Sequence, residues 1–132
     1  MSKKDKNKNL ILLVDDDKFL LDMYNTKFRE DGKEVKVCLR GQDALKHLRD
    51  GLRASVILID IVMPDVDGFT LLEVIKKEKL GGDPVIIMLT NQGEQSDIRK
   101  AKRLGADGYI VKASAIPSEV LEQIDEIVKN KK

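Results

Sequence analysis

The sequence predicts an α/β open sandwich, a parallel sheet of five strands with helices on both faces. Three observations predict it. Five short runs rich in Val, Ile and Leu are mostly continuous rather than alternating in polarity, the pattern of strands covered on both sides. Segments of helical period separate these runs, so strand and helix alternate five times, which calls for parallel strands joined by right-handed crossovers. At 132 residues and 14.9 kDa the chain suits one compact domain and leaves little room for a second.

The first strand is read at Leu10 to Val14. The helix after it sets Phe19, Leu20, Met23, Tyr24 and Phe28 on one stripe and ends before Gly32, a residue suited to the left-handed turn that closes a helix. The remaining strands are read over Glu34 to Leu39, Ala54 to Ile59, Pro84 to Leu89 and Asp107 to Val111. Helical segments at about 42–50, 67–79 and 94–104 fill the gaps. The fifth helix has Ile116, Val120, Leu121, Ile124, Ile127 and Val128 on one face, with Pro117 in its first turn, where a missing N–H costs nothing.

Composition narrows the class further. Hydrophobic residues make up 42% and charged residues 36%, enough for a real core behind a solvated surface, which excludes a wholly disordered chain and collagen. Apolar runs such as Leu10 to Val14 fall far short of the ~18–20 residues that span a bilayer, so no membrane insertion is expected. No apolar segment follows the basic start, as a secretory signal requires. The single cysteine, Cys38, forms no internal disulfide and fits a reducing cytoplasm. The net charge of +1 hides an asymmetry. Residues 1–9 and 129–132 take seven of the 24 basic and one of the 23 acidic residues, leaving the body with 17 against 22, near −5. Ends this short, without aromatic residues, read as solubilising tails rather than as arms for nucleic acid.

Open α/β sheets bind ligands beyond the carboxyl ends of their strands. There the sequence places Asp15, Asp16 and Asp17 after the first strand, Asp60 after the third, Thr90 after the fourth and Lys112 after the fifth. From Asp16 onward these are 44, 30 and 22 residues apart, yet the fold brings them to one edge. Carboxylates gathered there repel one another unless a cation joins them, and a hard cation such as Mg²⁺ takes oxygen ligands. A lysine and a hydroxyl at the rim point to an anion, phosphoryl in character, as the other ligand. Each residue also has a plainer reading: Asp17 as a helix cap, Asp60 as a loop start, Thr90 as another cap, Lys112 as a solvated strand end. Their joint occurrence at the right strand ends argues for a site.

These residues carry a resemblance. Leu-Leu-Val-Asp15-Asp16-Asp17, Asp60-Ile-Val-Met-Pro64-Asp-Val-Asp67-Gly68, Leu89-Thr90 and Gly105-Ala-Asp-Gly-Tyr109-Ile-Val-Lys112 together resemble the receiver domain of two-component response regulators, chemotaxis regulators included, over about Leu10 to Val128. The resemblance implies a flavodoxin-like sandwich with strand order 2-1-3-4-5 and five helices. It implies a receiver domain over 10–128 between basic tails at 1–9 and 129–132. Asp60 matches the phosphoacceptor, and Asp15, Asp16, Asp60 and the Val62 backbone carbonyl match the ligands of Mg²⁺, with Mn²⁺ as its substitute. Lys112 matches the lysine that pairs with the phosphoryl group, Thr90 the switch hydroxyl and Tyr109 the aromatic that moves with it. The donor implied is a histidine kinase or a histidine phosphotransfer protein, and the reader an unknown downstream protein. A homodimer through the face of the fourth helix, fifth strand and fifth helix is also expected, where Arg99, Lys100, Lys102 and Arg103 face Glu119, Glu122 and Glu126. Val62 and Gln92 stand where this family controls water access, so slow self-dephosphorylation is expected.

Two positions depart from the family pattern. Ala113 follows Lys112 where proline with a cis bond is common, and Asn91 follows Thr90 where a smaller residue is usual. A haloacid-dehalogenase-like phosphohydrolase is the rival, since Asp15-Asp16-Asp17 contains Asp-x-Asp. Phe19 departs from its motif, however, and the chain is short for that fold with a cap. A flavodoxin-like cofactor binder would want Ser, Thr and Gly, not three aspartates, beside its phosphate. His47 reads as a surface side chain, Cys38 as a small core residue, Phe69 as part of a helix face, and Gly81-Gly82 as a turn.

Overall fold

The computed structural model describes residues 10–91, 94–112 and 116–131. Five strands alternate with five helices: β1 (Leu10–Val14), α1 (Lys18–Glu30), β2 (Glu34–Cys38), α2 (Gly41–Arg49), β3 (Val56–Asp60), α3 (Gly68–Glu78), β4 (Val85–Thr90), α4 (Gln95–Arg103), β5 (Gly108–Val111) and α5 (Pro117–Lys131). A 3₁₀ turn, Leu80–Gly82, contains the glycine pair. The sheet is wholly parallel in the order β2-β1-β3-β4-β5, the order that the resemblance implies.

The continuous apolar strands have a direct cause in the two cores. Leu12 and Val14 of β1, Ile57 and Ile59 of β3, and Ile86 and Met88 of β4 join Leu45, Leu48, Leu71, Leu72 and Ile75 from α2 and α3 on one face. The intervening residues Ile11, Leu13, Leu58, Ile87 and Leu89 join Leu21, Tyr24 and Phe28 of α1 and Val120, Leu121 and Ile124 of α5 on the other. Each fully buried Leu or Ile contributes about 2 kcal/mol, so both faces of the central strands must be apolar.

Helix boundaries follow local chemistry. Asp17 caps α1, its carboxylate accepting from the Leu20 amide at 3.1 Å. The helix closes at Gly32, where φ is +86° and the Gly32 and Lys33 amides donate to the Arg29 and Phe28 carbonyls. Asp67 caps α3 in the same way, accepting from Thr70 at 2.9 Å. Pro117 opens α5, and Glu119 reaches back to the Ile116 amide at 3.0 Å, one half of a capping box.

The structure corrects several details. The buried stripe of α1 is Leu21, Tyr24 and Phe28, while Phe19 is 85% and Met23 52% exposed. With the cap at Asp17, the phase that turns Tyr24 and Phe28 onto the sheet carries Phe19 to the opposite side. Ile116 precedes α5 and is likewise exposed. Strands β3 and β4 end one residue later than the sequence pattern suggests, so Asp60 and Thr90 are strand residues. Residues 129–131, expected as tail, prolong α5: Lys131 donates to the Pro84 carbonyl at 3.3 Å and pairs with Asp107 at 3.4 Å. Tail 1–9 lies outside the described residues. No described helix is long and apolar enough to cross a membrane.

Candidate functional site

The carboxyl edge of the sheet gathers the charged residues. Asp15 is the first residue past β1 and is fully buried. Its amide donates to the Cys38 carbonyl at 3.1 Å, continuing the β1–β2 ladder, while its Oδ1 accepts from the Asp17 amide at 2.9 Å. Asp60 closes β3 and is 4% exposed. Lys112, just past β5, sends its ammonium to both: Nζ lies 2.8 Å from Asp15 Oδ2 and 3.2 Å from Asp60 Oδ1. Asp16 is exposed at the mouth, and one oxygen from each of Asp15, Asp16 and Asp60 falls within a 4.8 Å cluster.

Burial and repulsion govern these charges. Asp60 is pushed up to about 6, first by burial and next by the negative Asp15, against the opposing pull of Lys112. Burial acts to lower the Lys112 ammonium, but hydrogen bonds and charge from Asp15 and Asp60 outweigh it and raise it overall. Three carboxylates thus share this edge with one lysine. All three carboxylates offer hard oxygen donors, a set that fits Mg²⁺ and discriminates against soft metals.

Around this centre a cleft of ≈ 240 Å³ is lined by Asp60, Val62, Thr90, Asn91 and Glu94 among others. Thr90 is buried at the end of β4, and Val62 is 73% exposed in the loop after β3. Tyr109 is 36% exposed on β5 and lines a separate hollow with Lys102, Gln123 and Glu126. The structure thus joins Asp15 and Asp60 through Lys112, brings Asp16 to the same carboxylate cluster, sets Thr90 and Val62 along the cleft, and places Tyr109 in a separate hollow. Gln92 and the Lys112–Ala113 bond fall outside the described residues. Asp17 serves as a helix cap, Cys38 is buried with its thiol pushed up to about 11 by burial, and His47 is half-buried on α2.

Two residues of the quoted Asp60-to-Gly68 segment have structural roles that the motif alone does not disclose. Gly68 is required because a Cβ there would collide with the Asp60 carbonyl oxygen and stand 2.9 Å from Ile61 Cα. Asp65 accepts from the Gly41 and Gln42 amides at 3.2 and 3.0 Å, capping α2 from outside it. The available signal was Arg40, which offers α2 no capping oxygen of its own.

Comparison with known proteins gives the family and the fold. The family model for the response regulator receiver domain matches residues 11–125. The response regulator SaeR of Staphylococcus aureus is 30% identical over 122 residues, which are 92% of this chain and 51% of SaeR. The chain thus spans about half the length of the curated relatives it matches. A CheY-like receiver protein from Methanospirillum hungatei superposes with a TM-score of 0.82 at 30% identity, over 92% of this chain and 94% of that one. The BeF3-activated receiver domain of DrrB, a Thermotoga maritima protein, gives 0.77 at 28% identity over 91% and 97%. Fold and site together define a flavodoxin-like sandwich with an acidic pocket at its carboxyl edge. The chain belongs to the response regulator receiver domain family, whose function is phosphoacceptance in two-component signalling.

Proposed function

We propose that Asp60 is the phosphoacceptor, that Asp15, Asp16, Asp60 and the Val62 carbonyl hold Mg²⁺ (or Mn²⁺), and that Lys112 and Thr90 receive the phosphoryl oxygens. The observation that carries this reading is the buried Asp15–Lys112–Asp60 contact, 2.8 and 3.2 Å, with Asp16 as the third carboxylate. The bound cation would supply charge neutralisation for the phosphoryl group as it transfers.

The chain's own residues account for the rest. An Asp60 oxygen attacks phosphorus in line, and the phosphorus–nitrogen bond to a donor imidazole breaks with its electron pair leaving on that nitrogen. Lys112 exchanges its contact with Asp60 for one with the new phosphoryl oxygen, keeping its contact with Asp15. The Thr90 hydroxyl donates to another oxygen and moves inward, which clears space for Tyr109 to turn toward the sheet. The donor is a histidine kinase or histidine phosphotransfer protein in the cytoplasm. The readout face is α4–β5–α5, open to a downstream protein or to a second copy.

A small phosphodonor with Mg²⁺ tests the assignment. Intact mass should rise by one phosphoryl group in the wild-type chain and not in Asp60→Asn. Label on His47 or Asp17 overturns it. The label should build up on the chain, whereas phosphate released as fast as the donor reacts, with no label building up, would make the protein a hydrolase rather than a signalling phosphoacceptor.

A further inference from the structure

The seven residues between β3 and α3 pass from Asp60 over the rim of the site to Gly68, and they are pinned at three places. At the start, the Ile61 amide donates to the Leu89 carbonyl at 3.1 Å. At the end, the Gly68 amide donates to the Ile61 carbonyl at 2.8 Å, and Asp67 caps α3. In the middle, the two oxygens of Asp65 take one amide each from α2, Oδ1 from Gly41 and Oδ2 from Gln42. Using both oxygens fixes the plane of the carboxylate as well as its position.

A second observation shows how close this junction is. A Cβ on Gly41 would lie 3.0 Å from Val66 Cβ and 3.3 Å from the Val66 carbonyl, so the start of α2 rests directly on the loop. Met63 is buried beside it. Val62, by contrast, is largely exposed and has little packing of its own to hold it. Its backbone is therefore oriented by what grips the residues on either side. Ile61 provides that grip before it, and the Met63–Asp65–Val66 contact with α2 provides it after.

We infer that Asp65 is a positioning residue for the cation site, holding the Val62 backbone in place by tethering the loop to the start of α2. The inference rests on the Mg²⁺ reading above and extends it to a residue that touches no ligand. Burial alone would raise the Asp65 carboxyl, but the amide hydrogen bonds from Gln42, Val66 and Gly41 outweigh it and hold the group below its ordinary range. The tether is thus in place throughout the neutral range.

The test separates capping from positioning in the full chain. In Asp65→Ala, hydrogen exchange at the Gly41 and Gln42 amides should quicken and the Mg²⁺ dissociation constant should rise about tenfold, as for other groups that orient a ligand from behind. Asp65→Asn keeps one acceptor and should fall between. The pair Arg40→Ser with Asp65→Ala gives α2 a local cap without the tether, so amide protection should return while Mg²⁺ binding stays weak. Recovery of both in that pair, or unchanged Mg²⁺ affinity in Asp65→Ala, overturns the inference alone. A wild-type chain that binds no Mg²⁺ overturns the reading of the site and this inference with it.

Discussion

Asp60 is held against its own stability. Its folded-state carboxyl titrates near 6, above the unfolded value near 3.8, so between those values the folded chain binds the extra proton. Stability therefore falls as pH rises from about 4 through 6, and the loss persists at neutral pH. Asp60→Asn removes the charge while keeping the shape. It should raise stability by about 1–2 kcal/mol at pH 7.5 and leave it unchanged at pH 4, read by denaturant melts at both values. Equal melts at pH 7.5 would mean that Lys112 already balances the centre. Val62 makes a second prediction at this scale: its exposed isopropyl group lines the cleft beside Asp60 and cannot orient a water. Val62→Asn should shorten the phosphoryl lifetime several-fold in a phosphate-release assay, and an unchanged lifetime would show that Val62 does not govern it.

Elements carry the next level of cause, and α3 shows it best. Its first residue must be glycine because the helix begins against the backbone of Asp60 and Ile61. Gly68→Ala should cost about 2 kcal/mol through overpacking and weaken Mg²⁺ binding as well, because the displaced atoms belong to the end of β3, where Asp60 sits. A thermal melt beside a Mg²⁺ titration checks both effects. The same level shows what sequence reading reached. All five strands were legible, since each central one is apolar on both faces. Asp60 and Thr90 nevertheless read as lying beyond the strands, because a polar end residue looks like a loop until the sheet that satisfies it is known. In α1, Phe19 to Leu21 with Met23 and Tyr24 leave the helical phase open, and only contact with the sheet selects Leu21, Tyr24 and Phe28. The meeting of Asp15, Asp16, Asp60 and Lys112 was foreseeable from parallel strands sharing one edge. The Asp65 cap was not, since 24 residues separate it from the amide it serves and no local spacing records that.

The molecule as a whole presents oppositely charged neighbours on its α4–β5–α5 side. Arg99, Lys102 and Arg103 of α4 are exposed, as are Glu119, Glu122 and Glu126 of α5, while Lys100 leans over the Phe69 ring at 4.6 Å. Such a face is self-complementary between two copies, and its attraction weakens with salt. With Mg²⁺ and a beryllofluoride mimic on Asp60, chemical shifts over residues 90–126 should move and the sedimentation mass should double at low salt, then fall back at high salt. Fixed shifts with Asp60 occupied would remove the switch, whereas moved shifts at constant mass would remove only the dimer. The parallel sheet has one more effect. Leu10 opens β1 at the edge away from Asp60, and α5 returns the chain to that same edge, where Lys131 meets the Pro84 carbonyl ahead of β4. Five residues of strand, roughly 17 Å at ~3.3 Å each, then separate either handle from the carboxylates. A chain anchored to a sensor chip through position 10 or 131 would hold its acidic pocket outward, and the length of the leash would govern what that pocket can meet.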